Sequence, residues 1–270
     1  MSRRLPPVYY LETKFPGAVS LEYWYDICFR KVLIPMNETN ASTNSRGVAR
    51  WAMQIILMTL ITGIVLFLAA SRLSWIGGWA FLGLNIFTQT LSAIILIPRQ
   101  PDMLTERTAV RQGTKRYDRL LTPLITIFGT LAIILVAGLD ARFAWSSMIP
   151  IGLWGAALLL TLACQMFVLW AMASNRFFAT TVRIQEERGH QVIESGPYRY
   201  IRHPGYAGSV IYTLLIPLVL GSYWTYAPAV FTVLLLLLRT ALEDRTLQAE
   251  LPGYAEYAQK VRSRLIPGVW

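Results

Sequence analysis

The stretch 183–206 carries the densest set of side chains that could take part in chemistry. Both histidines of the protein, His190 and His203, lie in it. A Gly-Pro pair at 196–197 predicts a turn. Pro204 disfavours helix at the residue before it and suits the first turn of a helix that starts there. The start of such a helix offers free backbone N–H groups, which suit an anionic ligand group such as a carboxylate.

A second candidate group lies where the last long apolar run ends. Arg239 and Glu243 are four residues apart, so they would share one face of a helix. Ionisable groups at the edge of a membrane span are costly to keep there and are functional candidates. The same spacing is equally consistent with a structural ion pair at the end of the span. The residue types alone leave both interpretations open.

Hydropathy predicts the scaffold that must bring these two groups together. Of the 270 residues, 54% are hydrophobic and only 15% are charged, whereas soluble domains have about 25% charged residues. Uncharged stretches occupy 51–71, 73–98, 120–139, 143–175 and 203–238. Each of the first four reaches the roughly 20 residues that a membrane-spanning helix needs.

The fifth stretch is too long for one span. At 36 residues it would make a helix of roughly 54 Å, against a hydrocarbon core of about 30 Å. Gly221-Ser222 near its middle predicts a hairpin of two helices, at about 204–220 and 224–242. The expected fold is therefore all-α, a polytopic integral membrane helical bundle of about six transmembrane helices.

The positions of the basic residues predict the orientation. Lys and Arg mark cytoplasmic segments. All of the 25 Lys and Arg residues except Arg72 and Arg142 fall within 1–50, 99–119, 176–202 and 239–264. Six spans place these four segments on the same side, so we expect both termini and the candidate site to be cytoplasmic.

Composition argues against two other classes of function. The two cysteines, Cys28 and Cys164, and the two histidines are too few for a dedicated metal site. The net charge of +10 follows from the basic cytoplasmic segments and from contact with membrane lipid. No nucleic-acid motif accompanies that charge. We expect no metal and no nucleic-acid partner.

A family resemblance rests on the string Gly-Pro-Tyr-Arg-Tyr-Ile-Arg-His-Pro-Gly-Tyr at 196–206. This string resembles the signature of the isoprenylcysteine carboxyl methyltransferases, which are membrane enzymes related to the phospholipid N-methyltransferases. Arg239, the acidic pair Glu243-Asp244, Gly253-Tyr254 and Arg264-Leu-Ile-Pro-Gly follow in the order that the family shows. The resemblance covers about 175–270.

The resemblance implies S-adenosyl-L-methionine as the cofactor and a lipophilic methyl acceptor that enters from the bilayer. The residues implied to contact the cofactor are Gln185, His190, Gln191, Val192, Ile193, Tyr198, His203, Pro204, Gly205 and Tyr206. Arg239 and Glu243 are the implied catalytic residues. Arg239 would anchor the acceptor carboxylate, and Glu243 would orient Arg239 or bind a cofactor ammonium. The family often has a second glutamate where this chain has Asp244, so the role of Asp244 stays open.

Three domains are expected. They are a cytoplasmic N-terminal tail at 1–50, either amphipathic or loosely ordered; four transmembrane helices at 51–174 with a basic loop at 99–119; and a catalytic, cofactor-binding region at 175–270. Two rival functions remain, a membrane NADPH-dependent reductase of related layout and a non-enzymatic membrane scaffold. Arg199 and Arg202 could also serve only as lipid-headgroup contacts. The acceptor stays open among an isoprenylcysteine, another lipid acid, an amine headgroup and a thiol-derived molecule.

Overall fold

The computed structural model describes residues 38–108 and 110–270 of the chain, with side chains from Ser45 onward. The expected N-terminal tail at 1–50 therefore lies mostly outside the described residues. Its last part is helical and continuous with the first span.

The described residues form helices joined by loops. In chain order these are α1 (Glu38–Ala70), α2 (Ile76–Leu96), α3 (Pro101–Glu106), α4 (Arg116–Pro123), a π-helical turn (Leu124–Gly129), α5 (Thr130–Phe143), α6 (Ile151–Ser174), α7 (Pro204–Leu220), α8 (Tyr226–Glu250) and α9 (Tyr254–Lys260). Two 3-10 turns, Glu186–Arg188 and Gly196–Arg199, lie in the loop between α6 and α7. No strand occurs in these residues, so the all-α prediction is confirmed.

Within the described ranges, five helical segments are long and apolar enough to cross a membrane. They are Ser45–Ala70, Ile76–Leu96, Arg116–Phe143, Ile151–Ser174 and Tyr226–Glu250. The third of them combines α4, the π-helical turn and α5. A sixth apolar helix, α7, has 17 residues, the lower end of the length range for a span. The prediction of a polytopic helical membrane bundle is confirmed.

The hairpin of α7 and α8 forms where the sequence predicts it. Pro204 occupies the first turn of α7, where its missing N–H is not needed. Gly221 ends α7 with φ 76°, and its N–H donates to the carbonyls of Pro217 and Leu218. A positive φ of this kind is readily adopted by glycine. Polar residues extend α8 beyond its apolar part, to Glu250.

Small residues allow the helices to pack closely. A Cβ at Gly138 of α5 would lie 2.5 Å from the Cβ of Ala69 on α1. A Cβ at Gly208 of α7 would lie 2.6 Å from Cγ2 of Val168 on α6. Close backbone approach through small residues is a common way for membrane helices to associate. These contacts bring α5 close to α1 and α7 close to α6.

Candidate active site

A cavity of about 680 Å³ lies among α1, α2, α5, α7 and α8 and is bordered by the loop that joins α6 to α7. This volume falls within the range of about 300–1,000 Å³ that is usual for small-molecule sites. Of the residues singled out from the sequence, those that line it are Gln185, His190, Gln191, Val192, Ile193, Tyr198, His203, Gly205, Tyr206, Arg239 and Glu243. Pro204 is buried in the first turn of α7 and is not part of the lining.

Glu243 meets Tyr206 at the cavity wall. The Tyr206 hydroxyl donates to Oε2 of Glu243 over 2.5 Å. Within the described part of the chain, Glu243 makes no ion pair, either with Arg239 or with another cation. A carboxylate has about four acceptor positions, so Glu243 keeps acceptor capacity for a cationic ligand group. The two residues spaced i, i+4 are therefore not a structural ion pair.

Arg239 is held by Asp118 instead. Its Nε donates to Oδ1 of Asp118 over 2.6 Å, and its Nη2 donates to Oδ2 over 3.1 Å. Nη2 also donates to the carbonyl oxygen of Thr180 over 2.6 Å. Nη1 has no hydrogen-bond partner among the described residues. The guanidinium lies 5.5 Å from the centre of the Tyr206 ring, so its orientation is set on both sides.

Asp118 was missed by the sequence analysis. It is fully buried, and it also accepts the backbone N–H of Val182 over 2.7 Å and the hydroxyl of Thr122 over 3.0 Å. One sequence signal could have found it. Asp118 is an acidic residue that stands at the end of a basic loop, two residues before an apolar span, at a depth that matches Arg239 on α8. Asp118 thus ties the start of α4 to Arg239 and to the α6–α7 loop.

Asp244, whose role the sequence left open, is the centre of a buried network. It is fully buried. Its donors are Arg202 Nε (2.8 Å) and Nη2 (3.1 Å), Arg264 Nε (2.8 Å), Gln248 Nε2 (2.8 Å) and the Tyr254 hydroxyl (3.2 Å), and His203 Nε2 lies 3.1 Å from Oδ1. Asp244 therefore joins α8 to the residues before α7 and to the segment after α9. Its contacts are structural rather than directed into the cavity.

Arg202 and His203 connect this network to the C-terminal segment. Arg202 Nη1 donates to the carbonyls of Val261 and Arg262, both over 2.8 Å. The His203 N–H donates to the carbonyl of Arg264 over 2.9 Å. Arg202 is only 7% exposed, so its interpretation as a lipid-headgroup contact is wrong. The buried carboxylate of Asp244 explains why an arginine is kept inside.

The first half of the α6–α7 loop is folded around Gln185. This side chain is 1% exposed. Its Nε2 donates to the carbonyl of Phe177 over 2.7 Å, and its Oε1 accepts from Arg188. The backbone N–H of Gln185 donates to Nδ1 of His190 over 3.3 Å, which assigns the proton of the neutral ring to Nε2. The His190 ring packs 4.6 Å from the Phe177 ring.

The imidazole of His190 is uncharged at neutral pH. Burial, together with the positive charges of Arg188 and Arg183, lowers the pKa of His190 to about 4. A neutral ring fits a site that receives an aromatic or weakly polar ligand part. Tyr198 is likewise neutral because burial raises the pKa of its hydroxyl, which lies 3.2 Å from Nδ2 of Asn175.

Gly205 is required by packing. A Cβ at this position would lie 2.7 Å from Cε2 of Phe178, closer than real Cβ atoms approach another atom. Glycine therefore lets Phe178 lie against the first turn of α7, beside Tyr206.

Among the described residues, no group of three or more His, Cys, Asp or Glu side chains is placed to hold a metal ion.

The fold and the site define a helical integral membrane protein with an internal cavity that has polar groups at the end of α8. Residues 157–249 match the model of the Isoprenylcysteine carboxyl methyltransferase (ICMT) family, so the family resemblance predicted from the sequence is confirmed for this segment. The matched segment includes Arg239, Glu243 and the α6–α7 loop. Asp118 lies outside it.

The relatives that the chain matches include a bacterial and two plant proteins. The chain is 28% identical over 163 residues to "Uncharacterized protein YpbQ" of Bacillus subtilis (strain 168), covering 58% of this chain and 95% of that protein. It is 34% identical over 98 residues to proteins of Oryza sativa subsp. indica and subsp. japonica, both named "Probable protein-S-isoprenylcysteine O-methyltransferase". These alignments cover 35% of this chain and 50% of each rice protein. The chain thus spans about half the length of the rice relatives.

Proposed function

We propose that this protein is an S-adenosyl-L-methionine-dependent methyltransferase that methylates the carboxylate of an isoprenylcysteine or a similar lipophilic acid. One observation carries the proposal. In the segment that matches the methyltransferase family, the cavity brings Glu243 and Arg239 together with the loop residues 190–193. Neither the apolar helices alone nor the loop alone would form such a site.

The donors and acceptors of the cavity fit the cofactor. Glu243 offers a carboxylate with free acceptor positions to the cofactor's ammonium or sulfonium charge. The neutral ring of His190 and the side chains of Val192 and Ile193 offer contacts for the adenosine. When bound, S-adenosylmethionine supplies an electrophilic methyl group: the acceptor oxygen forms a bond to the methyl carbon while the carbon–sulfur bond breaks and sulfur keeps the electron pair.

The residues of the chain would act mainly by positioning. An ionised acceptor needs no general base, so Glu243 has no proton to take up. The reaction joins a cation and an anion, and a site of low dielectric favours that loss of charge separation. Arg239 lines the cavity and is held by Asp118 through Nε and Nη2, so its unpartnered Nη1 would fix the direction of the acceptor carboxylate. Alignment of oxygen, methyl carbon and sulfur then supplies most of the rate enhancement.

The arrangement also supports an orientation and a route for the acceptor. The four basic segments support a cytoplasmic location for the loop side of the cavity, and we propose that both termini and the site are cytoplasmic. Cavity-lining residues continue along α1 and α2 into the bundle, for example Met58 and Leu82. The apolar tail of the acceptor would enter laterally from the bilayer and lie along them.

Binding and turnover test this proposal together. Purified protein is titrated with S-adenosylmethionine and with NADPH, and methyl transfer from labelled cofactor to S-farnesyl-N-acetylcysteine is measured. We expect saturable binding of S-adenosylmethionine alone and a labelled methyl ester. Binding of NADPH but not of S-adenosylmethionine would favour the reductase instead, and binding of neither would favour the scaffold.

A matched pair of variants tests the role of Glu243. Glu243→Gln removes the cavity-facing charge, and Glu256→Gln removes an exposed charge on α9 that does not line the cavity. We expect cofactor affinity to fall about tenfold or more in Glu243→Gln, the usual value of a hydrogen bond to a charged group. Equal affinities in the two variants would contradict the assignment.

A further inference from the structure

The cations that line the cavity differ in how they are neutralised. Four arginines line it: Arg107, Arg183, Arg202 and Arg239. Arg202 and Arg239 pair with the fully buried carboxylates of Asp244 and Asp118. Arg183 pairs with Glu106 over 2.7 Å and with Glu187 over 2.5 Å. In the part of the chain that the structure describes, the guanidinium of Arg107 has neither an ion pair nor a hydrogen bond.

The position of Arg107 is nevertheless well defined. It caps the short helix α3, and its carbonyl lies 3.4 Å from the Thr180 hydroxyl. Its guanidinium carbon lies 5.4 Å from the centre of the Phe178 ring, the ring that Gly205 admits. Nη2 of Arg239 donates to the carbonyl of Thr180, two residues after Phe178. The two guanidinium groups therefore both lie against residues 178–180 of the α6–α7 loop.

Arg107 is partly buried, and no described residue compensates its charge. Burial, and to a smaller extent repulsion by Arg239, lowers the pKa of Arg107 to about 10. The group stays protonated at neutral pH all the same. A partly buried cation without a counterion is costly, and the cost is offset when a ligand brings the missing negative charge.

We propose that Arg107 binds the carboxylate of the methyl acceptor at the head of a lipophilic acid, between Arg107 and the free Nη1 of Arg239. This inference rests on the proposed function and names the acceptor class for the same site. The main contact to the acceptor carboxylate is then made by Arg107, which lies outside the segment that matches the family. Arg239 makes a smaller contribution because its other nitrogens already have partners. Arg239 then directs the carboxylate rather than holding it alone.

The α1 residues that line the cavity next to Arg107 indicate which carboxylate binds there. They favour the carboxylate of a lipid acid over the carboxylate of the cofactor. Next to Arg107, the carbonyl of Thr108 accepts from Nε2 of Gln54 on α1 over 3.0 Å. Ile55, Met58, Thr59 and Thr62 of α1 continue the cavity lining at helical spacing. A carboxylate at Arg107 therefore places an attached chain along α1, into the span and away from the loop at 190–193.

The test compares acids with their neutral amides. S-farnesyl-N-acetylcysteine and palmitate, each with its primary amide, are titrated into the full chain saturated with S-adenosylhomocysteine. The variants are Arg107→Gln and a matched control, Arg111→Gln, which removes an exposed loop arginine whose ion pair among the described residues is with Glu106 at 3.4 Å. In the unaltered protein and in Arg111→Gln, at least one acid binds about tenfold or more tightly than its amide. Arg107→Gln abolishes that preference, and Arg107→Lys restores part of it.

Each other outcome overturns the inference in a recognisable way. A preference for the acid that persists in Arg107→Gln, or the absence of any preference in the unaltered protein, excludes Arg107 as the acceptor's anion site. Weaker binding of S-adenosylhomocysteine in Arg107→Gln assigns Arg107 to the carboxylate of the cofactor instead. Failure of S-adenosylhomocysteine to bind the unaltered protein contradicts the proposed function itself, and the two failures are thereby distinguished.

Discussion

Asp118 offers the sharpest test of how the site is held together. Asp118→Asn keeps the size of the side chain but removes the charge that neutralises Arg239. In the unaltered protein, the two oxygens of Asp118 accept both guanidinium donors and the N–H of Val182. The amide oxygen of Asn can still accept one N–H. The amide nitrogen, itself a donor, then faces the remaining guanidinium donor or the N–H of Val182. Arg239 is then left buried at 8% exposure with Arg107 as a neighbouring positive charge.

The magnitude follows from the burial of both partners. Breaking a buried ion pair by removing one partner costs about 3–5 kcal/mol. Because Asn keeps one hydrogen bond, we expect the lower end, about 3 kcal/mol. The control is Glu250→Gln, which removes the partner of Lys115 in a pair whose side chains are 28% and 43% exposed. Pairs of that kind contribute about 0–1 kcal/mol.

The assay is thermal unfolding of both variants in the same detergent, followed by intrinsic fluorescence. Asp118→Asn should melt well below Glu250→Gln. The double variant Asp118→Asn/Arg239→Gln should recover part of that loss, because it leaves no unpaired charge behind. Equal melting temperatures for the two single variants, or additive losses in the double variant, would refute the reasoning.

Three further predictions concern packing, pH and the buried network. Gly205→Ala should displace Phe178 and weaken acceptor binding several-fold, whereas Gly155→Ala, whose Cβ meets nothing within 4 Å, should not; titration of the acid probe checks this. His190 has a pKa of about 4 when folded and about 6.5 when unfolded, so the unfolded state binds more protons between these values and stability falls as the pH drops through this window. When melting temperature is measured against pH, the value for His190→Gln should fall less between about pH 6.5 and pH 4 than the value for the unaltered protein. Asp244→Asn should cost about 3–5 kcal/mol and expose the segment after α8 to proteolysis; unchanged cleavage would contradict its structural role.

The membrane fold was predictable because its determinants are local. Runs of uncharged residues predict the spans, since a backbone in lipid must satisfy its hydrogen bonds within each helix. The limits of α7 follow from Pro204 and Gly221, whose backbone preferences do not depend on distant contacts. The motif at 196–206 led to the family for the same reason, because it is contiguous in the sequence.

The pairing of charges was not predictable in this way. The spacing of Arg239 and Glu243 allowed a pair within α8, but Arg239 pairs with Asp118, 121 residues earlier. The packing of α4 against α8 and the α6–α7 loop decides that the guanidinium of Arg239 pairs with Asp118 rather than with Glu243. Glu243 is thereby left to accept from Tyr206, and it keeps the acceptor positions that we propose for the cofactor.

The sequence by itself determined an all-helical membrane bundle, the match of its C-terminal region to a methyltransferase family and the loop that faces the site. The tertiary structure alone decided which charges are neutralised inside the protein and which remain for a ligand. The physical reason is that burial makes every unpaired charge costly, and burial depends on residues that are far apart in the chain. Arg107 shows this, since only the positions of Asp118, Asp244 and Glu106 reveal that no carboxylate of residues 38–108 and 110–270 pairs with it.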